Sequence, residues 1–279
     1  VKPSLSIIKP GIIFGNIVTL AGGFFLATDG QINFWLLASV VIGMSLVVAA
    51  GCVLNNVIDK DIDRLMERTK KRVLAQGLVS EKKALLYALV LGVLGFLVLA
   101  FQTNLLTVFI AFVGLFFYVV LYSLFWKRKS PFGTIIGGIA GAVPPVVGYT
   151  AVTNHFDAGA IVLFFILFFW QMPHFYAIAI YRLKDYSTAS IPVLPVVKDI
   201  SHTKKVMLVY AVLFAIASIM PVVYGYIGML YFVPALAMGL YWVYIIAQGF
   251  KAKDNRVWAR KVFLFSIINI TLLSILMIA

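Results

Sequence analysis

Apolar residues run along this chain in long unbroken stretches, with the polar residues gathered between them. Nine such stretches stand out, near 11–28, 33–54, 84–101, 105–125, 132–152, 159–181, 205–225, 228–249 and 262–279. A helix needs about 20 apolar residues to cross the hydrocarbon core of a bilayer, and each stretch is close to that length. None alternates apolar and polar positions as the strands of a membrane barrel do. Because only helices and closed barrels satisfy every backbone polar group in lipid, the pattern predicts nine transmembrane helices, spans 1 to 9. Residues 1–279 are read as a single all-α integral membrane domain.

Composition agrees: 63% of the 279 residues are hydrophobic and only 12% are charged, the profile of a membrane protein. A net charge of +13 would suit a nucleic-acid binder, but its distribution says otherwise. All 23 Lys and Arg residues lie at the N-terminus or in the loops after spans 2, 4, 6 and 8. The positive-inside rule places those segments in the cytoplasm, or on the matrix side in an organelle, and the C-terminus across the membrane. No nucleic-acid partner is expected. The first apolar run lacks a small-residue cleavage pattern and reads as a retained span rather than a signal peptide. Cys52 is the only cysteine and lies inside span 2, which excludes disulfides and thiolate metal sites.

The most charged segment, residues 55–72, follows span 2 directly. Asn55, Asp59 and Asp63 recur every fourth residue, so on a helix they stack on one face about 6 Å apart. Mg²⁺ takes one or two carboxylates and completes its shell with water and substrate phosphate oxygens. Arg68 and Arg72, which would share a helical face, and Lys71 would neutralise phosphate oxygens beyond the metal's reach. Spacing alone leaves two readings even: a metal and anion site, or a solvated loop whose acids balance its bases. A second polar concentration follows span 6, from Trp170-Gln171-Met172-Pro173-His174-Phe175 through Arg182, Lys184 and Asp185 to Lys198. Gln171 and His174, three apart, are expected on one side of the helix. An intramembrane histidine either hydrogen-bonds across helices or serves a site. The two loops lie four spans apart, suggesting two similar four-helix units that wall a cavity open to the cytoplasmic side, with span 9 as an addition.

Three further features carry double readings. Asn16, about two turns into span 1, is interhelical glue or a ligand. Tyr118 and Tyr122, four apart near the end of span 4, form part of an interfacial belt or line a pocket. The Pro144-Pro145 pair must kink or break span 5, making either a cavity or only a bend.

Residues 55–64, Met66-Glu67-Arg68-Thr69 and Arg72 resemble the first aspartate-rich motif of the intramembrane prenyltransferase superfamily, and within it the haem O synthase branch, protohaem IX farnesyltransferase. Lys9-Pro10-Gly11 with Asn16, the run Trp170 to Phe175, and Tyr181-Arg182 with Asp185-Tyr186 resemble the same branch, so the likeness spans the chain. It implies nine helices around a central cavity in the bacterial inner membrane, with the active site on the cytoplasmic side. It also implies transfer of a farnesyl group from farnesyl diphosphate to a vinyl group of haem B, with addition of water, giving haem O. Haem B is then a substrate and Mg²⁺ the cofactor, and haem A synthase or terminal-oxidase assembly would follow. By motif match, Asn55, Asp59, Asp63 and Asp185 would hold metal and diphosphate, with Arg182 in the second half of the site. Position 189, where relatives acting on aromatic acids carry another aspartate, is Ala. That leaves the second metal open and makes Arg182, Lys184 or Lys198 substitutes for its charge. Tyr118, Tyr122 and Tyr176 would shield the farnesyl cation by cation–π contact. His174 would ligate or orient the haem, or position the water.

Rival readings keep the fold with a quinone or chlorophyll precursor as acceptor, or make the chain a carrier built around the broken span 5. Against a carrier, the acids cluster at one surface. A haem chaperone without chemistry would have little need of the Asp ladder.

Overall fold

The structure is a computed structural model that describes residues 7–28 and 30–278. Its regular elements are all helical. They are α1 (Pro10–Leu26), α2 (Phe34–Ile58), α3 (Lys60–Leu65), α4 (Glu81–Gln102), α5 (Leu105–Phe116) continued by a π-helix (Phe117–Trp126), and α6 (Gly133–Gly141). There follow α7 (Val143–Thr153), α8 (Ala158–Tyr181), α9 (Leu183–Thr188), α10 (Leu194–Val197), α11 (Ile200–Val223), α12 (Met229–Ala247) and α13 (Asn255–Leu276). Among the described residues eight helical segments are long and apolar enough to cross a membrane, while α1, with 17 residues, is shorter.

Side-chain caps set several of the starts. Asn33, Asn104 and Asp157 accept from backbone N–H groups two or three residues on, at 3.0, 2.9 and 3.0 Å, which satisfies donors that a helix start leaves open. The same device explains two departures from the expected boundaries. Asp199 caps α11 through His202 N–H, and Asp254 caps α13 through Arg256 N–H, so spans 7 and 9 begin at Ile200 and Asn255 instead of 205 and 262. Arg256, Arg260 and Lys261 read as loop residues, yet they ride on α13 as exposed side chains, because long basic chains lay their stems along a helix and keep their heads in water.

Span 5 breaks as its prolines require, with Ala142 between α6 and α7. The second half, α7, packs closely on α1. Gly23 faces the Pro145 carbonyl and Gly148 faces that of Leu20; a Cβ would stand 2.0 and 2.1 Å from those oxygens. Only glycine permits that approach. Contacts cross between the first four spans and the rest: α1 packs on α7 and also meets α13. Elsewhere α2 lies along α4, and α8 packs with both α11 and α13. The main core includes Leu163, Ile166, Phe214, Trp242 and Leu273. A separate small core joins Ile62 and Met66 to Ala189 and Ile191, bringing the loops after spans 2 and 6 together.

Candidate active site

Asp59 is the junction of α2 and α3 (φ −90°, ψ 4°), so the ladder is not one straight helix. The four-residue hydrogen bonds nevertheless carry across it: Asp59 N–H donates to Asn55 O at 2.9 Å and Asp63 N–H to Asp59 O at 2.8 Å. Asn55, Asp59 and Asp63 are all buried, Asp59 completely. Carboxylates in such surroundings need counter-charge, and each has it. Lys127 Nζ donates to Asp59 Oδ2. Arg72 Nη1 donates to both oxygens of Asp63. Asn55 takes the ammonium of Lys9 on Oδ1 at 2.5 Å and donates through Nδ2 to Asp59 Oδ2 at 2.8 Å and to Ser123 Oγ at 3.0 Å. Burial draws the Lys9 ammonium down to about 7.

Three of these contacts come from residues that sequence reading did not place at the ladder: Lys9, Ser123 and Lys127. Lys9 has left-handed backbone angles (φ 55°, ψ 69°), turning the chain into α1. The π-helix ends in a five-residue bond, Lys127 N–H to Tyr122 O at 2.9 Å, and such wide turns concentrate at functional sites. It delivers Ser123 and Lys127 to the ladder. Arg128 forks onto the two oxygens of Asp61, each at 2.7 Å, and donates to Ile58 O at 2.6 Å, so loop 4–5 is tied to the end of α2. That fork holds the Asp61 carboxyl below its ordinary range. Lys127 and Arg128 read as orientation charges, and nothing in their spacing distinguished them from Lys129.

The second polar loop meets the first. Glu67 N–H donates to Asp185 Oδ1 at 3.2 Å, the contact that the small core of Ile62, Met66, Ala189 and Ile191 sets up. Burial pushes the Tyr186 phenol above its ordinary value, and the charge of Arg68 opposes that rise. Ala189 is buried in that small core, where a carboxylate would have no partner, so the missing aspartate is a packing residue here. Residues 66–79 are turns rather than helix, and the shared helical face expected for Arg68 and Arg72 does not form. Arg72 goes to Asp63, while Arg68 and Lys71 are exposed. Arg182 stacks on the Tyr181 ring, 4.7 Å from its centroid. Lys184 and Lys198 are exposed.

Toward the membrane, Tyr118 and Tyr122 stack with centroids 6.0 Å apart, and Lys127 Nζ lies 5.8 Å above Tyr122. Gln171 and His174 hydrogen-bond to different helices. Gln171 donates to Gly138 O on α6 and to Leu167 O in its own helix, both at 3.0 Å. His174 Nδ1 pairs with Ser266 Oγ on α13 at 2.7 Å. Asn16 donates to Ile12 O at 2.7 Å, within its own helix rather than across to another.

Mg²⁺ suits the donors present. Asp59 Oδ1 and Asp185 Oδ2 are buried carboxylate oxygens without a hydrogen-bond partner among the described residues, and such atoms call for an ion or water. No three His, Cys, Asp or Glu side chains converge among the described residues.

Residues 16–268 match the model of the UbiA prenyltransferase family. The chain belongs to that family. It is 52% identical to the protoheme IX farnesyltransferases of Cronobacter sakazakii (strain ATCC BAA-894) and Yersinia pestis (strain Pestoides F), over 99% of this chain and 94% of each relative. Among solved structures it resembles that of digeranylgeranylglyceryl phosphate synthase (TM-score 0.80, 22% identity, 99% of this chain and 98% of that one). It also resembles a UbiA homologue from Archaeoglobus fulgidus bound to GPP and Mg²⁺ (TM-score 0.75, 15% identity, 99% of each chain). At these identities the two structures establish the UbiA fold.

Proposed function

We propose that this UbiA-family enzyme transfers a farnesyl group from farnesyl diphosphate to a vinyl group of haem B, with addition of water, and so makes haem O. The observation that carries this reading is the meeting of the two polar loops: Asp59 and Asp63 on one, Asp185 on the other, with Lys127, Arg72 and Arg68 around them. The identity of 52% to protoheme IX farnesyltransferases over nearly the whole chain supports the choice of acceptor. In this reading α1 completes nine spans, and the site opens to the cytoplasmic side of the bacterial inner membrane, where the positive-inside rule puts every basic loop. The product would pass to haem A synthase or to terminal-oxidase assembly.

Each residue then has a task. Asn55, Asp59, Asp63 and Asp185 would hold Mg²⁺, which when bound neutralises charge that grows on the departing diphosphate. Arg68 and Lys71, exposed at the rim, would receive that diphosphate, joined by Lys9, Lys127 and Arg72, whose present partners are the ladder residues themselves. Arg182 and Lys198 would add positive charge from the second loop in place of a further acid-bound metal. Charge-assisted contacts of this kind are strongest where a leaving group becomes more anionic. Tyr118 and Tyr122 would place ring faces beside the allylic carbon and exclude water while it carries positive charge. The vinyl group attacks that carbon, a water adds to the resulting cation next to the porphyrin, and a proton leaves.

The deciding experiment incubates purified protein in detergent with haem B, farnesyl diphosphate and Mg²⁺, with an EDTA control, and reads the pigment by mass spectrometry. Metal-dependent formation of farnesylated, hydrated haem is the expected result. Prenylation of a quinone precursor with haem unaltered would move the assignment elsewhere in the family, and no transfer to any acceptor would overturn it.

A further inference from the structure

His174 sits on α8 seven residues before its end at Tyr181, about 10 Å along the helix axis. Its Nδ1 lies 2.7 Å from Ser266 Oγ. Ser266 Oγ is also 2.6 Å from the carbonyl oxygen of Phe263. A carbonyl oxygen can only accept, so the single serine proton must lie on that side. Toward the histidine the hydroxyl offers only lone pairs. Nδ1 therefore carries the ring proton and donates it to Ser266, and the tautomer is fixed.

The consequence falls on the other nitrogen. Nε2 holds a bare lone pair and has no hydrogen-bond partner among the described residues. Nor can the nearby indole N–H supply one, because Trp170 Nε1 donates to Ser266 O at 2.9 Å. The imidazole is packed by aromatic rings: Trp170 stacks at 4.5 Å between centroids, Phe263 lies at 5.1 Å and Phe175 at 5.3 Å. His174 is half-buried and its Nε2 is not fully buried, so a ligand can reach the lone pair. A histidine whose one N–H is held by an oxygen and whose other nitrogen is free has the arrangement of a metal ligand.

We propose that Nε2 of His174 is the axial ligand of the iron in the haem substrate. This deepens the functional reading above and rests on it. Ligation would fix the height and tilt of the porphyrin, so that a vinyl edge is presented repeatedly to the allylic carbon, and it would select the iron porphyrin over the metal-free ring. Ser266 is a positioning residue, acting through the tautomer of His174.

The test uses purified full-length protein in detergent without farnesyl diphosphate, titrated with ferrous haem B and followed by the Soret band and resonance Raman scattering. The wild type is expected to show an iron–histidine stretching band and to bind metal-free protoporphyrin IX about 10-fold or more weakly than haem. His174→Ala should lose the band and regain a ligated spectrum with added imidazole. Ser266→Ala should keep the band but weaken haem binding about 10- to 100-fold, as loss of an outer partner typically does. An unchanged spectrum in His174→Ala, or equal wild-type affinity for haem and metal-free porphyrin, overturns the assignment; the second comparison needs no variant to fold. Haem farnesylation by the wild type, assayed separately, divides the failures. If haem is farnesylated but not ligated by His174, only the ligand assignment falls, whereas a wild type that neither binds nor farnesylates haem removes the functional reading as well.

Discussion

Arg72 reaches back nine residues to Asp63 and donates from Nη1 to both carboxylate oxygens, at 2.9 and 2.7 Å. The pair joins the turn region after α3 to the last rung of the ladder. Asp63 has only 5% of its side chain exposed and Arg72 has 24%. Removing one partner of a fully buried pair costs about 3–5 kcal/mol, because the other charge is left without compensation. Arg72→Met, with water still able to reach part of the site, is expected to lower stability by about 1–3 kcal/mol and to raise KM for farnesyl diphosphate. Thermal unfolding in detergent and steady-state kinetics check the two effects. Asp63→Asn combined with Arg72→Met should recover stability without recovering activity.

Asp59→Asn retains the shape of the side chain and removes its charge. Lys127, now its counter-ion, would then have no carboxylate to hold. Activity is expected to fall by about 100-fold or more, the scale seen when a pre-placed electrostatic group is lost. Mn²⁺ binding in the presence of diphosphate, read by electron paramagnetic resonance, should weaken in parallel. A variant that unfolds at the wild-type temperature, binds Mn²⁺ normally and transfers farnesyl at the wild-type rate would remove Asp59 from the ladder's proposed role.

The stacked pair Tyr118 and Tyr122 separates ring from hydroxyl. A cation–π contact is worth about 2 kcal/mol when desolvated, so Tyr122→Leu is expected to lower kcat by about 30-fold, while Tyr122→Phe, which keeps the ring face, should stay within a few-fold of wild type. Equal losses in both variants, measured by single-turnover prenyl transfer, would assign the effect to the hydroxyl instead.

Hydropathy alone placed most of the spans, because length and apolarity of a segment are what a bilayer selects. It erred where charge and helix coincide. Arg256, Arg260 and Lys261 belong to α13, and only the Asp254 cap marked its true start. The ladder was legible for a similar reason: four-residue spacing is visible in a linear string, and it carried across the break at Asp59. Its counter-ions were not. Lys9 and Lys127 reach Asn55 and Asp59 across 46 and 68 residues, and a basic residue at a span end has the same sequence signature whether it faces water or a buried carboxylate. Ala189 shows the converse. An absent aspartate reads as a missing ligand, but the space is taken up by packing against Ile62 and Met66.

The break in span 5 supplies the last prediction. Gln171 is buried and holds Gly138 O with its amide, and its Oε1 presses on the next glycine of α6. A Cβ on Gly141 would stand 1.9 Å from that oxygen, with the amide carbon at 2.8 Å. Turning the buried amide away from Gly141 gives up its bond to Gly138, while Nε2 keeps Leu167 O and the Gly138 carbonyl keeps Ala142 N–H, so the rotation costs one buried hydrogen bond. Gly141→Ala is therefore expected to destabilise by about 1–3 kcal/mol, the usual range for overpacking, seen as a lower unfolding temperature in detergent. Gln171→Ala in the same chain removes the clash but also the bond, so the double variant should be more stable than Gly141→Ala and less stable than wild type. If Gly141→Ala unfolds at the wild-type temperature, the amide does not occupy the break as a fixed plug, and α6 is free to shift against α8.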